Sequence, residues 1–523
     1  MTTLNPYSGN WDFNLAAHLL RRTTLGPSKS MMDTAVSDGL DVTIEKLFSS
    51  PTLPSPPIYY DFENDPGAGV GETWVNVPNP VPAVAGVNNA RLRSLRGWTM
   101  GIMENNSLSI FAKMVLFWHE HLAVNGVNNP MFGYTYVETL MRNSYGNFKT
   151  MIEEITIDPH MLRFLNGHEN SRQSPNENYA RELLELFSIG RGEDVGSGDY
   201  TNYTEQDVQE IARALTGWRG ITLDDGTVAG VFVNSRHDLE DKQLSPRFDN
   251  VVITNQAEDE YKAVIDIIFE KSEVARFICR KLHIWFINAD ITEEVEMNII
   301  NPLAQQLINN NYEIEETVKT LLSSEYFFQE QFVGCMISHP IDFLFKVVKT
   351  FEFESTDDPI AKYLYWNGLF NLSESQEMVL LDIPTVAGWK AFYQAPQFYK
   401  IWINSVSLRL REDFSDIFIN GLVLGDFNFE LDLISFIAQM SDPFNPNILI
   451  DDIVEVLFAR PISQNQHDFL KNLLIPGLPD ASWTMEYSEF LADPTDPDRI
   501  EGIKNKLKAM FGIMLKMPEF YLI

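Results

Sequence analysis

Residues Asn166–Trp218 read NGHENSRQSPNENYARELLELFSIGRGEDVGSGDYTNYTEQDVQEIARALTGW, and this stretch decides the fold because polar clusters in it alternate with helical periodicity. Ser174 and Pro175 predict a helix start, the serine as cap and the proline at the first helical position, where its missing N–H costs nothing. Gly190 predicts the end of that helix. At about 100° per residue, Tyr179, Leu183, Leu186 and Phe187 share one arc, widened by Ala180 and Leu184. The other side carries Glu177, Arg181, Glu185 and Ser188 in a column, with Asn178 and Glu182 beside it. Two readings of this column stay open: a solvated ladder of i,i+4 ion pairs, or one wall of a polar site. In either case Arg181 is expected to bridge Glu177 and Glu185 through its fork of donors.

Working outward, His168, Glu169, Asn170 and Arg172 crowd a loop with no apolar period, and such loops ahead of a helix suit ligands; Asn176 belongs to the same set. Downstream, Thr204 predicts a cap with Asp207 at the third helical position, and the helix continues through Val208, Ile211, Ala212 and Leu215 to Gly217. The glycine-rich link from Gly190 to Thr201 then makes a helical hairpin with a mobile connection.

The strings NENYARELLELFSIG (Asn176–Gly190) and YTEQDVQEIARALTGW (Tyr203–Trp218) resemble the signature of the bacterial family catalogued as domain of unknown function 1800. AAHLLRRTTLGP at Ala16–Pro27, WHEHL at Trp118–Leu122, His237-Asp238, and Gly388-Trp389 ahead of WINSVSLRLR at Trp402–Arg411 fall in that family's order. The resemblance covers nearly the whole chain. It implies no established activity. It does imply a partner, since members often sit beside genes for a sulfatase-like family, domain of unknown function 1501, and it places His121 among the signature residues.

The chain of 523 residues, 45% apolar and 21% charged, can bury a large core. With no low-complexity linker and no fixed repeat, one large helical domain over 1–523 is expected, with any subdivision near 255. A net charge of −34 argues against nucleic acid or an anionic membrane as partner. Asp493–Asp498, DPTDPD, lacks the spacing of an EF-hand loop. Cys279 and Cys335 lie in apolar helical contexts and read as buried free thiols. Arg21-Arg22 is not followed by an apolar run, so it is no export signal; it suits the end of a first helix instead. No span of about 18 apolar residues occurs. The cytoplasm is the default location, or export together with a partner.

Proline and glycine dominate from Ser50 to Val87, which predicts a long loop anchored by Tyr59, Tyr60, Phe62 and Trp74, either a lid or a wrap. From Asn106 to Val124 a helix places Ile110, Met114, Phe117 and His121 on one line, with His119 at the edge of the apolar face and Glu120 nearly opposite. An H-x-H pair on a helix diverges by about 200° and cannot clamp one ion. Gly226–Thr254 has the β-branched content of short strands, and between them His237 and Asp238 sit in a charged loop. Amphipathic helices follow to the C-terminus, interrupted at Asp382–Arg411 by an irregular aromatic segment suited to lining a pocket. Met510, Met514 and Met517 read as core filler.

The fold class is therefore mainly α, a large multi-helix domain with a small β element and long irregular loops. There is no Walker loop, no Rossmann fingerprint and no nucleophile elbow. His121, Glu177, Arg181, His237 and Asp238 remain as catalytic candidates, His119, His168, Asn176, Asn178 and Glu182 as ligand-binding ones, and His121, His237 and Glu177 as ligands for a divalent metal ion. They are expected to converge in space. The function expected is that of a metal- or cofactor-dependent enzyme working beside the sulfatase-like partner; the alternative is a non-enzymatic assembly or maturation partner whose polar cluster is structural.

Overall fold

The computed structural model describes residues 3–49, 52–104, 107–353, 355–424 and 427–523. Ser50, Pro51 and Asn106, at the starts of the predicted loop and of the predicted helix, lie outside them. The protein is mainly α-helical, and the strands among the described residues form two-stranded antiparallel pairs. Period-3.6 patterns with capped ends account for this. Buried apolar side chains from Ala16 to Tyr521 form one contiguous cluster.

At its centre runs the helix Phe111–His121, of which every residue is buried, the pattern of a helix packed on all sides. Helices Val87–Met103 and Pro130–Arg142 lie against it. Helix Pro359–Ser375 packs along Val87–Met103, whose Gly97 and Gly101 leave room for Tyr363, Asn367 and Trp366. Farther along the chain, Ser405–Asn420, Gln464–Leu474 and Asp480–Ala492 gather around Pro497–Met514, with Met510, Met514 and Met517 buried as expected of core filler.

The proline-rich segment is a wrap. Tyr59 and Trp74 are fully buried; the Trp74 indole N–H donates to Ser94 Oγ at 2.8 Å. Buried Arg91 donates to Asp65 at 2.6 Å and to the Tyr59 hydroxyl at 2.7 Å. The segment thus adheres to helix Val87–Met103, and its described residues line neither cavity described below.

Two details of the signature stretch depart from expectation. Its helix begins at Asn178, not at Pro175, because Asn170 Oδ1 accepts the Asn176 N–H at 2.9 Å and holds the serine–proline segment in a turn. From Leu183 to Ser188 it widens into a π-helix before stopping, as predicted, at Gly190 with φ +72°. Thr204 does cap the next helix, Glu205–Ala214, in a reciprocal box with Asp207. Trp218–Thr222 pairs with Val228–Phe232, a strand partner not expected for the end of the signature, while Val252–Ile253 pairs with Lys242–Gln243. A Cβ at Gly220 or Gly230 would run into the backbone of Pro159 or Ile157, so glycine lets this hairpin lie flat on helix Pro159–Phe164. Cys279 is buried and Cys335 half-buried; both are free.

Candidate functional site

Several quoted strings meet at one cavity of about 130 Å³, lined by Phe117, Glu120 and His121 of the central helix, Leu186 of the π-turn, Lys281, Ile284 and Trp285 of helix Ser272–Phe286, and Ala387, Phe392 and Tyr393 of the irregular aromatic segment. The wide π-turn leaves the last carbonyls of the signature helix available, and Phe187 O lies 3.0 Å from His121 Nε2. A carbonyl only accepts, so Nε2 carries the proton; Nδ1 is buried and has no partner. Burial first, and then the Lys281 charge, lower the His121 pKa to about 3 against the opposing pull of that carbonyl. The imidazole is neutral at physiological pH.

Glu120 and Lys281 are the ionisable groups beside it. Burial pushes the Glu120 carboxyl well above its usual range, opposed by the Trp389 N–H, which donates to Oε2 at 2.8 Å, and by the Lys281 charge. Burial likewise pushes the Lys281 ammonium down, opposed by Glu120. Among the described residues no contact-distance ion pair includes either one; the ammonium lies 5.5 Å from the Phe277 ring centroid. Gly388 has φ +94°, and a Cβ there would overlap the Glu120 carboxyl, which is why the loop can bring the Trp389 amide so close. A carboxyl of raised pKa, a neutral imidazole and an amine of lowered basicity thus line one aromatic-walled cleft.

The other predicted site residues are distributed over separate networks. His119 diverges from His121 as helical geometry requires: Nε2 accepts from Leu381 N–H at 2.9 Å and Nδ1 faces the Tyr136 hydroxyl at 3.0 Å, leaving neither nitrogen free. His237, fully buried, places Nε2 3.1 Å from Glu260 and Nδ1 2.9 Å from Thr216 O; Lys242 pairs with the same glutamate at 2.6 Å. Burial opposes charge on His237, but the Glu260 and Thr216 hydrogen bonds outweigh it and raise its pKa. Asp238 takes both ends of the Arg213 guanidinium, at 2.9 and 3.3 Å.

Arg181 holds Glu205 with two bonds of 2.7 Å and Glu177 with one of 3.1 Å. Glu185 instead accepts from Tyr203 at 3.1 Å, because the π-turn moves it off the column that 3.6-residue spacing assigns to it. Glu182 is pushed to about 7 by burial and the like charge of Glu185. Asn176 Oδ1 accepts the Asn178 N–H at 3.0 Å, and His168 Nε2 lies 2.9 Å from Arg219. Among the described residues no group of three or more His, Cys, Asp or Glu is placed to hold one metal ion, so the His121, Glu177 and His237 set finds no support as a joint ligand sphere. Glu120 and Lys281 were missed. Their signal lay in the sequence: Glu120 has Leu116, Phe117, Ala123 and Val124 one helical turn away, and Lys281 has Phe277, Ile278, Ile284 and Trp285.

A family model described as a protein of unknown function matches residues 18–522, nearly the whole chain. No curated protein and no solved structure matches it, and no helix among the described residues is long and apolar enough to cross a membrane. With the match running from the first helix through the central helix, the signature and the aromatic loop, the chain belongs to the DUF1800 family of proteins of unknown function.

Proposed function

We propose that the protein is an enzyme whose acid–base site is the Glu120–His121–Lys281 cleft. One observation carries the reading: three ionisable side chains from two helices share a cavity, none held in a contact-distance ion pair among the described residues, with the Glu120 and Lys281 pKa values displaced toward each other. The substrate is small and carries an apolar face to lie against Phe117, Trp285 and Phe392. A metal or organic cofactor of the kind expected from the His/Glu inventory would find His121 Nδ1 and the Glu120 carboxyl as its donors here, and metal analysis of untagged protein reads this directly.

Pulsed acetylation across a pH series, with the Lys281 peptide followed by mass spectrometry, tests the site. The expected midpoint lies below the usual lysine value of 10.5; an ordinary midpoint, or no labelling before unfolding, sinks it. Incubation of wild type and Lys281→Met with a metabolite extract then tests enzymatic turnover, which only the wild type should show.

A second reading, a non-enzymatic assembly or maturation partner, draws support from the paired state of the signature residues around Arg181 and His237. In both readings the sulfatase-like domain of unknown function 1501 family supplies the partner, supported by family membership alone; co-purification of the two proteins tests it.

A further inference from the structure

A second, larger cavity of about 540 Å³ lies between residues 125–129, helix Pro159–Phe164 and the end of strand Trp218–Thr222, within the size range of small-molecule sites. Its polar groups are fixed in orientation by the protein. His160, 5% exposed, turns one ring N–H to the Asn125 carbonyl, while Nε2 is buried without a partner. Burial lowers its pKa to about 4, so Nε2 carries a lone pair and can only accept. Asn125 Nδ2 donates to Ile383 O at 3.0 Å, which leaves its carboxamide oxygen as a second acceptor. Asn129 is held the opposite way, because its Oδ1 caps the Met131 N–H at 3.0 Å and its NH₂ stays available as a donor.

Arg163 supplies further donors. Its Nε is bound to Gly220 O at 3.1 Å and its guanidinium lies over the Phe132 ring at 5.1 Å, so the plane is fixed while the terminal nitrogens take no protein acceptor among the described residues. Thr222 adds a hydroxyl that serves either way. Among the described residues no carboxylate lines the cavity, so it lacks the charged oxygen ligands that hard divalent cations prefer. With the acceptors of His160 and Asn125 beside the donors of Asn129 and Arg163, the lining suits a molecule that both donates and accepts hydrogen bonds better than an anion, which only accepts. What remains is a neutral molecule with many interleaved O–H donors and oxygen acceptors, and with C–H faces to lie against Phe132.

We propose that this cavity binds a polyhydroxylated ligand, one sugar unit either free or at the end of a glycan. The inference is independent of the Glu120–His121–Lys281 reading. Saturation-transfer NMR of the full chain tests it with glucose, galactose, mannose and N-acetylglucosamine, and with disaccharides of each. At least one should receive saturation at its ring C–H protons. Arg163→Ala, at an exposed position, or Thr222→Val should weaken that binding at least about tenfold in a chain still fully folded at the assay temperature, whereas Lys281→Met should leave it within about twofold. Binding by monosaccharides identifies a free sugar, and binding by disaccharides only identifies a chain end; either supports the site. No transfer to any sugar overturns it, as does binding insensitive to both Arg163→Ala and Thr222→Val, or an equal loss in Lys281→Met, which would place the sugar in the other cleft.

Discussion

Two polar groups of similar composition, the fully buried His237–Glu260–Lys242 and the cleft-lining His121–Glu120–Lys281 with its lysine half-buried, are built on opposite principles. In the first, glutamate is held by lysine at 2.6 Å and by histidine at 3.1 Å, with every side chain fully buried. In the second, among the described residues, glutamate and lysine make no contact-distance pair and a histidine nitrogen has no partner, and a cavity is lined by all three side chains. A charge matched by the protein holds the fold together; one left for something else to match marks a site. Composition alone would rank them equal.

The largest effect should come from breaking the matched group. Lys242→Met leaves Glu260 without its cation and Asp238 O without a donor, and should cost about 3–5 kcal/mol in urea denaturation; a cost below about 1 kcal/mol would mean that the cluster is hydrated and the contrast unfounded. Arg181→Ala should follow at about 1–2 kcal/mol, because its bidentate bond to Glu205 joins two helices while the side chain stays 32% exposed. Arg181→Lys should recover only part of that loss.

Lys281→Met should act with the opposite sign. Removing an unmatched, largely desolvated cation is expected to raise stability by about 1 kcal/mol while abolishing amine reactivity in the cleft. A loss of stability would show that Lys281 is paired in solution and would erase the difference between the two groups.

The same comparison can be read in pH slopes. His237 has a folded-state pKa raised above 6.5, so its contribution is complete below 6.5 and is lost as pH rises through the folded value. His121, lowered to about 3, behaves inversely: the unfolded chain takes up a proton below 6.5 that the folded one refuses, and stability falls as pH drops from 6.5 toward 3. Denaturation midpoints taken across this range should show His237→Gln flattening the neutral side and His121→Gln the acid side. Identical slopes for both variants would break the comparison.

Much of the architecture was legible in residue pattern. The helical class, the Thr204–Asp207 cap, the stop at Gly190, the divergence of His119 from His121 and the methionine core near the C-terminus follow from local rules. The start at Ser174 failed because a buried asparagine six residues upstream of Asn176 claimed that N–H. The Arg181–Glu185 pairing failed because the wheel assumes 3.6 residues per turn throughout, and a π-turn inserts between them. Of the residues lining the cleft, His121 is among the sequence candidates; Glu120 falls on the helix side nearly opposite His121 by periodicity, and nothing local distinguishes Lys281 from other cations on amphipathic helices.

The sequence by itself determined the helices, their caps and the family, because periodicity and capping act over a few residues and are written in neighbouring side chains. Tertiary structure decided which charges are matched. Lys242 reaches Glu260 from 18 residues away in the chain, a separation read from their numbers, and the Trp389 amide reaches Glu120 across 269 residues. Whether a buried carboxyl finds a cation or a cavity depends on distances that only the packed chain sets, since electrostatic energy follows separation in space and the local dielectric.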